Sequence, residues 1–199
     1  PIGHAIHEIK AGEWVHSHNL KTNLNDDLEY AYDHKTYRSC YQRDDELRVM
    51  GYLRKNGYMG IRNELWIVPT VGCVNGQAQA IVERIKNECD CSHLDDVRAY
   101  THNYGCSQLG EDHANTQKAL AALIKHPNAG GVLVLGLGCE NNQIASLKEV
   151  MGEWDENRIK FLIAQEVEDE VEAGFQIVRE LVENCRKDRR EPLPLNLLR

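Results

Sequence analysis

The chain has 199 residues, 42% hydrophobic and 27% charged, which suits one medium-sized globular domain or one domain plus an appendage. A formal net charge of -8 argues against a nucleic-acid partner, and no run of about 18 apolar residues exists to cross a membrane. The seven cysteines fit neither a secreted disulfide framework nor a zinc ribbon, and no signal peptide opens the sequence, so the expected location is cytoplasmic.

Residues 1–24 read as short strands and turns, with Ile2, Ala5 and Ile6 leading into the turn Lys10-Ala11-Gly12-Glu13. His16-Ser17-His18-Asn19 follows, with two imidazoles at i and i+2. If that piece is extended, both rings face one side and can converge on a metal or a substrate, with Asn19 and Asn23 adding carbonyl oxygens. A pair of solvated histidines is the simpler alternative. Residues 25–63 are polar and irregular, too long for an ordinary connection, and read as a linker or a functional loop. Within them Arg54 and Arg62 flank the glycine-rich turn Arg54–Asn63. A planar guanidinium pairs well with a carboxylate, which makes Arg62 a candidate anion ligand, whereas Arg54 reads as readily as an exposed hairpin arginine.

From residue 64 onward apolar runs alternate with amphipathic stretches. Strands are expected at Leu65–Pro69, Val97–Thr101, Val132–Leu135 and Phe161–Ala164, and helices at Gln77–Asn87, His113–Lys125, Gln143–Met151 and Asp169–Arg186. This alternation predicts an α/β fold over 64–199, a largely parallel sheet covered by helices. Right-handed crossovers then gather every strand-to-helix loop on one edge. The tail Glu191-Pro192-Leu193-Pro194-Leu195 reads as an exit from the last helix.

The first three strands each run into a Gly-Cys pair, Gly72-Cys73, Gly105-Cys106 and Gly138-Cys139, one strand–helix unit apart. The three thiols thus occupy equivalent positions on the carboxyl edge, where open parallel sheets bind ligands. Polar side chains follow each pair: Asn75 and Gln77, then Ser107 and Gln108, then Glu140, Asn141 and Asn142, suited to a polyhydroxylated substrate. The thiolates of Cys73, Cys106 and Cys139 could hold an iron–sulfur cluster, or some of them a single soft metal; spacing leaves both open, and each cysteine is also a small hydrophobe that fills space at a strand end. His102, just before the second pair, is a candidate general base or ligand. A phosphate- or nucleotide-binding sheet is disfavoured, because neither Gly-x-Gly-x-x-Gly nor a P-loop lysine is present.

Several of these stretches resemble a known family. Gly51–Arg54 with Arg62–Gly76, Tyr104–Gly110, His126–Gly130 and Gly136–Gln143 are similar to signatures of the altronate/galactarate dehydratase family, which also includes a sulfolactate lyase. Gly12–Asn19 resembles the end of that family's small amino-terminal SAF-like β-clip, and Asn63–Trp66 with Gly138–Asn142 favour the altronate branch. Family members continue beyond the chain at both ends. The resemblance implies a hydro-lyase converting D-altronate to 2-dehydro-3-deoxy-D-gluconate with Fe2+ or Mn2+. A dehydratase for another hexarate such as galactarate, or a non-catalytic assembly fragment, are the alternatives. Such a reaction needs a base for the proton beside the carboxylate, a Lewis acid for the enolate and an acid for the departing hydroxide. His16, His18, Cys73, Cys106 and Cys139 are then the expected metal or substrate ligands and His102 the base. Arg62 would take the carboxylate, with Asn19, Asn75, Gln108, Glu140 and Asn141 on the hydroxyls. Expected partners are a small sugar acid and further copies of the chain.

Overall fold

The structure, a computed structural model, describes residues 3–22, 35–36 and 47–198. The chain divides into two compact units, Pro1–Gln42 and Arg43–Arg199. In the first, β1 (Gly3–Ala5) pairs antiparallel with β2 (Leu20–Thr22), Ala5 opposite Leu20. Among the described residues this ribbon is the regular structure of that unit, too little to define a β-clip. Asn23, Asp26, Asp27, Asp33, Cys40, Asp44 and Asp45, and with them most of the expected linker, lie outside the described residues.

The second unit opens with β3 (Arg48–Leu53) and β4 (Met59–Gly60), in a stretch that looks irregular as sequence. Then follow β5 (Glu64–Pro69), α1 (Asn75–Glu88), β6 (Asp96–Ala99), α2 (Gly110–Ile124), β7 (Ala129–Gly136), α3 (Ile144–Met151), β8 (Ile159–Ile163), α4 (Glu170–Cys185) and β9 (Glu191–Pro194). The alternation of strand and helix is therefore the predicted one. Strand β7 begins earlier than its apolar run because Gly130 and Gly131, poor strand formers in isolation, lie where Cys185 and Leu181 of α4 press against the sheet. The tail is a strand rather than an exit: β9 pairs antiparallel with β3, Leu193 opposite Val49. It tolerates Pro192 and Pro194 because it is an edge strand in the order β4-β3-β9.

The four parallel strands stand in the order β6-β5-β7-β8. Successive side chains of β5 alternate between two buried layers, as a strand covered on both faces requires. Leu65 and Ile67 join Ile81 and Ile85 of α1 and Val178 and Leu181 of α4 on one face. Trp66 and Val68 join Leu120 and Ile124 of α2 and Leu147 of α3 on the other. These layers hold the carboxyl ends of β5, β6 and β7 side by side.

Candidate functional site

The strand order sets the place of the site. From β5 the chain crosses to β6 on one side and later returns past β5 to β7, so the order reverses between β5 and β7. At such a reversal the loops leave in opposite directions and open a crevice outside the carboxyl ends. The loops that carry Cys73, Cys106 and Cys139 all start at this edge, and all three thiols are exposed.

Hydrogen bonds stitch the three loops into one surface. Gly72 N donates to Tyr104 O at 3.0 Å, and Asn142 N donates to Gly105 O at 3.1 Å. Asn142, fully buried, also donates Nδ2 to Thr70 O at 2.8 Å, while its Oδ1 lacks a partner among the described residues. Glu140 closes the bracket. It is 2% exposed and accepts from Thr70 Oγ1 at 2.7 Å, from Leu137 N at 3.1 Å and from Gly138 N. Burial opposes its charge, but those hydrogen bonds outweigh burial and hold its carboxyl below the usual range. Gly105 has φ of 101°, and a Cβ there would lie 2.3 Å from Thr70 O, so only glycine lets the second loop cross the end of β5.

Most of the expected substrate residues are members of this stitching. Asn75 donates Nδ2 to His102 O at 2.8 Å, and Gln108 accepts at Oε1 from Gly105 N at 3.1 Å. Asn141, exposed, donates Nδ2 to Gln108 O at 3.2 Å. His102 has both ring nitrogens engaged: Nε2 lies 2.8 Å from Pro69 O, and Nδ1 accepts from Tyr104 N at 3.1 Å. These partners assign the proton to Nε2 and make the imidazole a staple between the end of β5 and the second loop. Beside it a cleft of about 540 Å3 is lined by Tyr100, His102, Tyr104, Gln108, Asp112 and Thr116, large enough for a hexonate. The helices α1, α2 and α3 begin at this edge without a side-chain cap, whereas Asp169 caps α4; the first N–H of α1 donates to Gly72 O, and Glu111 and Asp112 occupy the first turn of α2.

Arg62 is not brought to this edge. It precedes β5, at the amino end of the sheet, where its Nε pairs with the buried carboxylate of Glu64. Glu64 also accepts from Trp66 Nε1 at 2.7 Å, and this partner raises the Arg62 pKa. Arg54 is no exposed hairpin arginine but 5% exposed, with Nε on Pro127 O and Nη2 on Asn63 Oδ1.

In the first unit, residues 16–19 form a turn rather than an extended strand, because Asn19 and Leu20 both donate backbone N–H to His16 O. Asn19, 6% exposed, fixes that turn by accepting from His16 N at 2.9 Å and donating to Trp14 O at 2.9 Å. Its amide is thereby engaged in the loop. The rings of His16 and His18 still gather, 4.8 Å and 6.4 Å from the exposed Trp14 indole. Among the described residues no group of three or more His, Cys, Asp or Glu side chains is placed to hold a metal ion.

Two residues at the carboxyl edge escape a reading by motif. Thr70 directly follows the apolar run Leu65–Pro69 of β5, and its polarity at that place is the available signal. Gln165 follows β8 and directs Nε2 to Cys139 Sγ at 3.8 Å, extending the edge to a fourth loop that has no Gly-Cys pair to mark it.

Fold and loops together define an α/β domain with a polar carboxyl edge at its topological switch point. Comparison with known proteins makes this specific. Residues 51–186 match the second domain of D-galactarate dehydratase/altronate hydrolase, and the chain belongs to that family. It is 49% identical over 200 residues to altronate dehydratase of Bacillus subtilis and 46% identical to that of Escherichia coli K12. Both matches cover 100% of this chain and 40% of the relative, so the chain spans two fifths of their length. A third match, 32% identical over 88 residues, is to the (2R)-sulfolactate sulfo-lyase subunit beta of Chromohalobacter salexigens, covering 44% of this chain and 20% of that one.

Proposed function

We propose that this chain is part of a hydro-lyase that removes water from D-altronate to give 2-dehydro-3-deoxy-D-gluconate, with substrate bound at the carboxyl-edge loops. The carrying observation is the joined surface of the three Gly-Cys loops at the switch point, in a member of this family. The uncapped start of α3 offers N–H groups to the carboxylate, and Asn141 and Gln108 lie where hydroxyls would come. Tyr104, exposed beside the cleft, shields one side of a bound sugar acid from water. Because both nitrogens of His102 are engaged, its role in this reading is to hold the second loop. It acts as a base only after releasing Tyr104 N.

Fe2+ or Mn2+ is the proposed assisting ion, with an iron–sulfur cluster as the alternative. Such a group would supply Lewis acidity toward the enolate. Its candidate donors are Cys73, Cys106 and Cys139 in the second unit and, separately, His16 and His18 in the first; among the described residues no group of three or more His, Cys, Asp or Glu side chains is placed to hold a metal ion. Iron and acid-labile sulfide are to be measured in anaerobically purified protein and in the alanine triple variant of Cys73, Cys106 and Cys139. Iron lost in the variant supports thiol ligation, and accompanying sulfide identifies a cluster; equal iron in both removes the cysteines from the metal site. A His18→Ala protein with normal metal content and turnover removes that residue in the same way.

A further inference from the structure

The amino edge of the parallel sheet, opposite the Gly-Cys loops, holds a polar cavity that the proposed dehydration does not use. It measures about 390 Å3, and its charged lining residues are Arg54, Lys55, Arg158, Lys187, Asp155 and Asp188. A neighbouring cleft of about 570 Å3 shares Arg54, Lys55, Asp155 and Arg158 with it and adds the exposed Glu153 and Glu156. Both carboxylates of the smaller cavity are already engaged: Asp188 with Arg54 at 3.0 Å, and Asp155 with Lys55 at 2.8 Å.

Arg158 is in a different state. Its Nε donates to Gly130 O at 2.8 Å, which fixes the plane of the guanidinium. Among the described residues neither Nη1 nor Nη2 has a hydrogen-bond partner, and no carboxylate forms an ion pair with it. Burial and the neighbouring Arg54 cation bring its pKa down to about 10 against the pull of Asp188 and Asp155, so it remains charged at neutral pH with neither carboxylate within ion-pair distance. A rigid fork of intermediate burial with both terminal nitrogens open to the cavity matches two oxygens of a carboxylate or phosphate.

We propose that this cavity binds a small oxyanion, the carboxylate or phosphate group of a metabolite, on Nη1 and Nη2 of Arg158, with the exposed Lys187 as a second cation at the rim. The volume admits a sugar acid or a sugar phosphate. The site stands at the other end of the strands from the Gly-Cys loops and does not depend on the dehydratase reading.

The test is an NMR titration of the 15N-labelled full chain at constant ionic strength, with inorganic phosphate and, separately, D-gluconate. At least one anion should produce saturable shifts at the amides of Gly130, Asn157, Arg158 and Lys187, and the stronger of the two identifies the ligand as phosphate or carboxylate. Arg158→Gln should weaken that binding about ten-fold or more, as loss of a charge-assisted pair does. Lys187→Ala, at an exposed position where folding is not at stake, should weaken it a few-fold. No saturable shift at these amides with either anion overturns the proposal. So does an affinity left unchanged by Lys187→Ala or by a folded Arg158→Gln protein.

Discussion

Replacing Glu140 by glutamine probes the bracket that joins the three loops. The wild-type carboxylate accepts from Thr70 Oγ1 and Leu137 N at Oε1 and from Gly138 N at Oε2. Glutamine keeps one oxygen for the first two donors but turns an NH2 toward Gly138 N, donor against donor. Two charge-assisted bonds become neutral and one is lost, so the expected cost is about 2–4 kcal/mol at pH 7. The pH dependence has a definite sign. The folded carboxyl titrates below its ordinary 4.5, so its stabilisation is present above that value and is lost as pH falls through the folded pKa. The gap between wild type and Glu140→Gln should therefore be full at neutral pH and narrow below about pH 4.5, where glutamine resembles the protonated acid. Urea unfolding followed by tryptophan fluorescence measures this, because Trp66 is 3% exposed and reports on the core. A variant within about 0.5 kcal/mol of wild type at pH 7, or a gap that stays constant into acid, refutes the bracket.

Other consequences follow from single contacts. Gly105→Ala places a Cβ 2.3 Å from Thr70 O at φ of 101°, and should cost at least about 2 kcal/mol in denaturant unfolding; a neutral result contradicts the crossing of the second loop over β5. His102→Ala leaves Tyr104 N without its acceptor, so that amide should exchange with deuterium faster by about ten-fold or more, with unchanged protection counting against the staple. Leu133→Ala, fully buried between α1 and α4 on β7, should destabilise by about 3 kcal/mol in the same unfolding assay. A loss under about 1 kcal/mol would mean that the layer collapses around the gap or is not packed as described.

The parallel sheet was readable because local period and long-range packing agree: Leu65, Ile67, Trp66 and Val68 sit in two apolar layers that a short continuous run anticipates. The antiparallel sheet was not, since β3 and β9 become strands by pairing across nearly the whole unit, and prolines disguise one of them. The site divides in the same manner. Equal spacing of the Gly-Cys pairs located the edge, because that spacing is a property of the chain. What Glu140, Asn142 and His102 do there depends on contacts to Thr70, Gly105 and Pro69 on other loops, which no local pattern carries. Arg54 and Arg62 look alike in sequence. Folding buries one among carbonyls and the Asp188 carboxylate and leaves the other exposed, paired with the buried Glu64.

The proposed function places dehydration of a sugar acid at the Gly-Cys edge. The most direct test is formation of 2-dehydro-3-deoxy product from D-altronate and from galactarate by the whole protein, beside its Cys73→Ala, Cys106→Ala and Cys139→Ala variants. D-altronate should turn over in preference to galactarate, with each variant that remains folded slowed by about 100-fold or more. Wild-type turnover in all three folded variants, or no dehydration of either sugar acid by the unmodified protein, contradicts the proposed function.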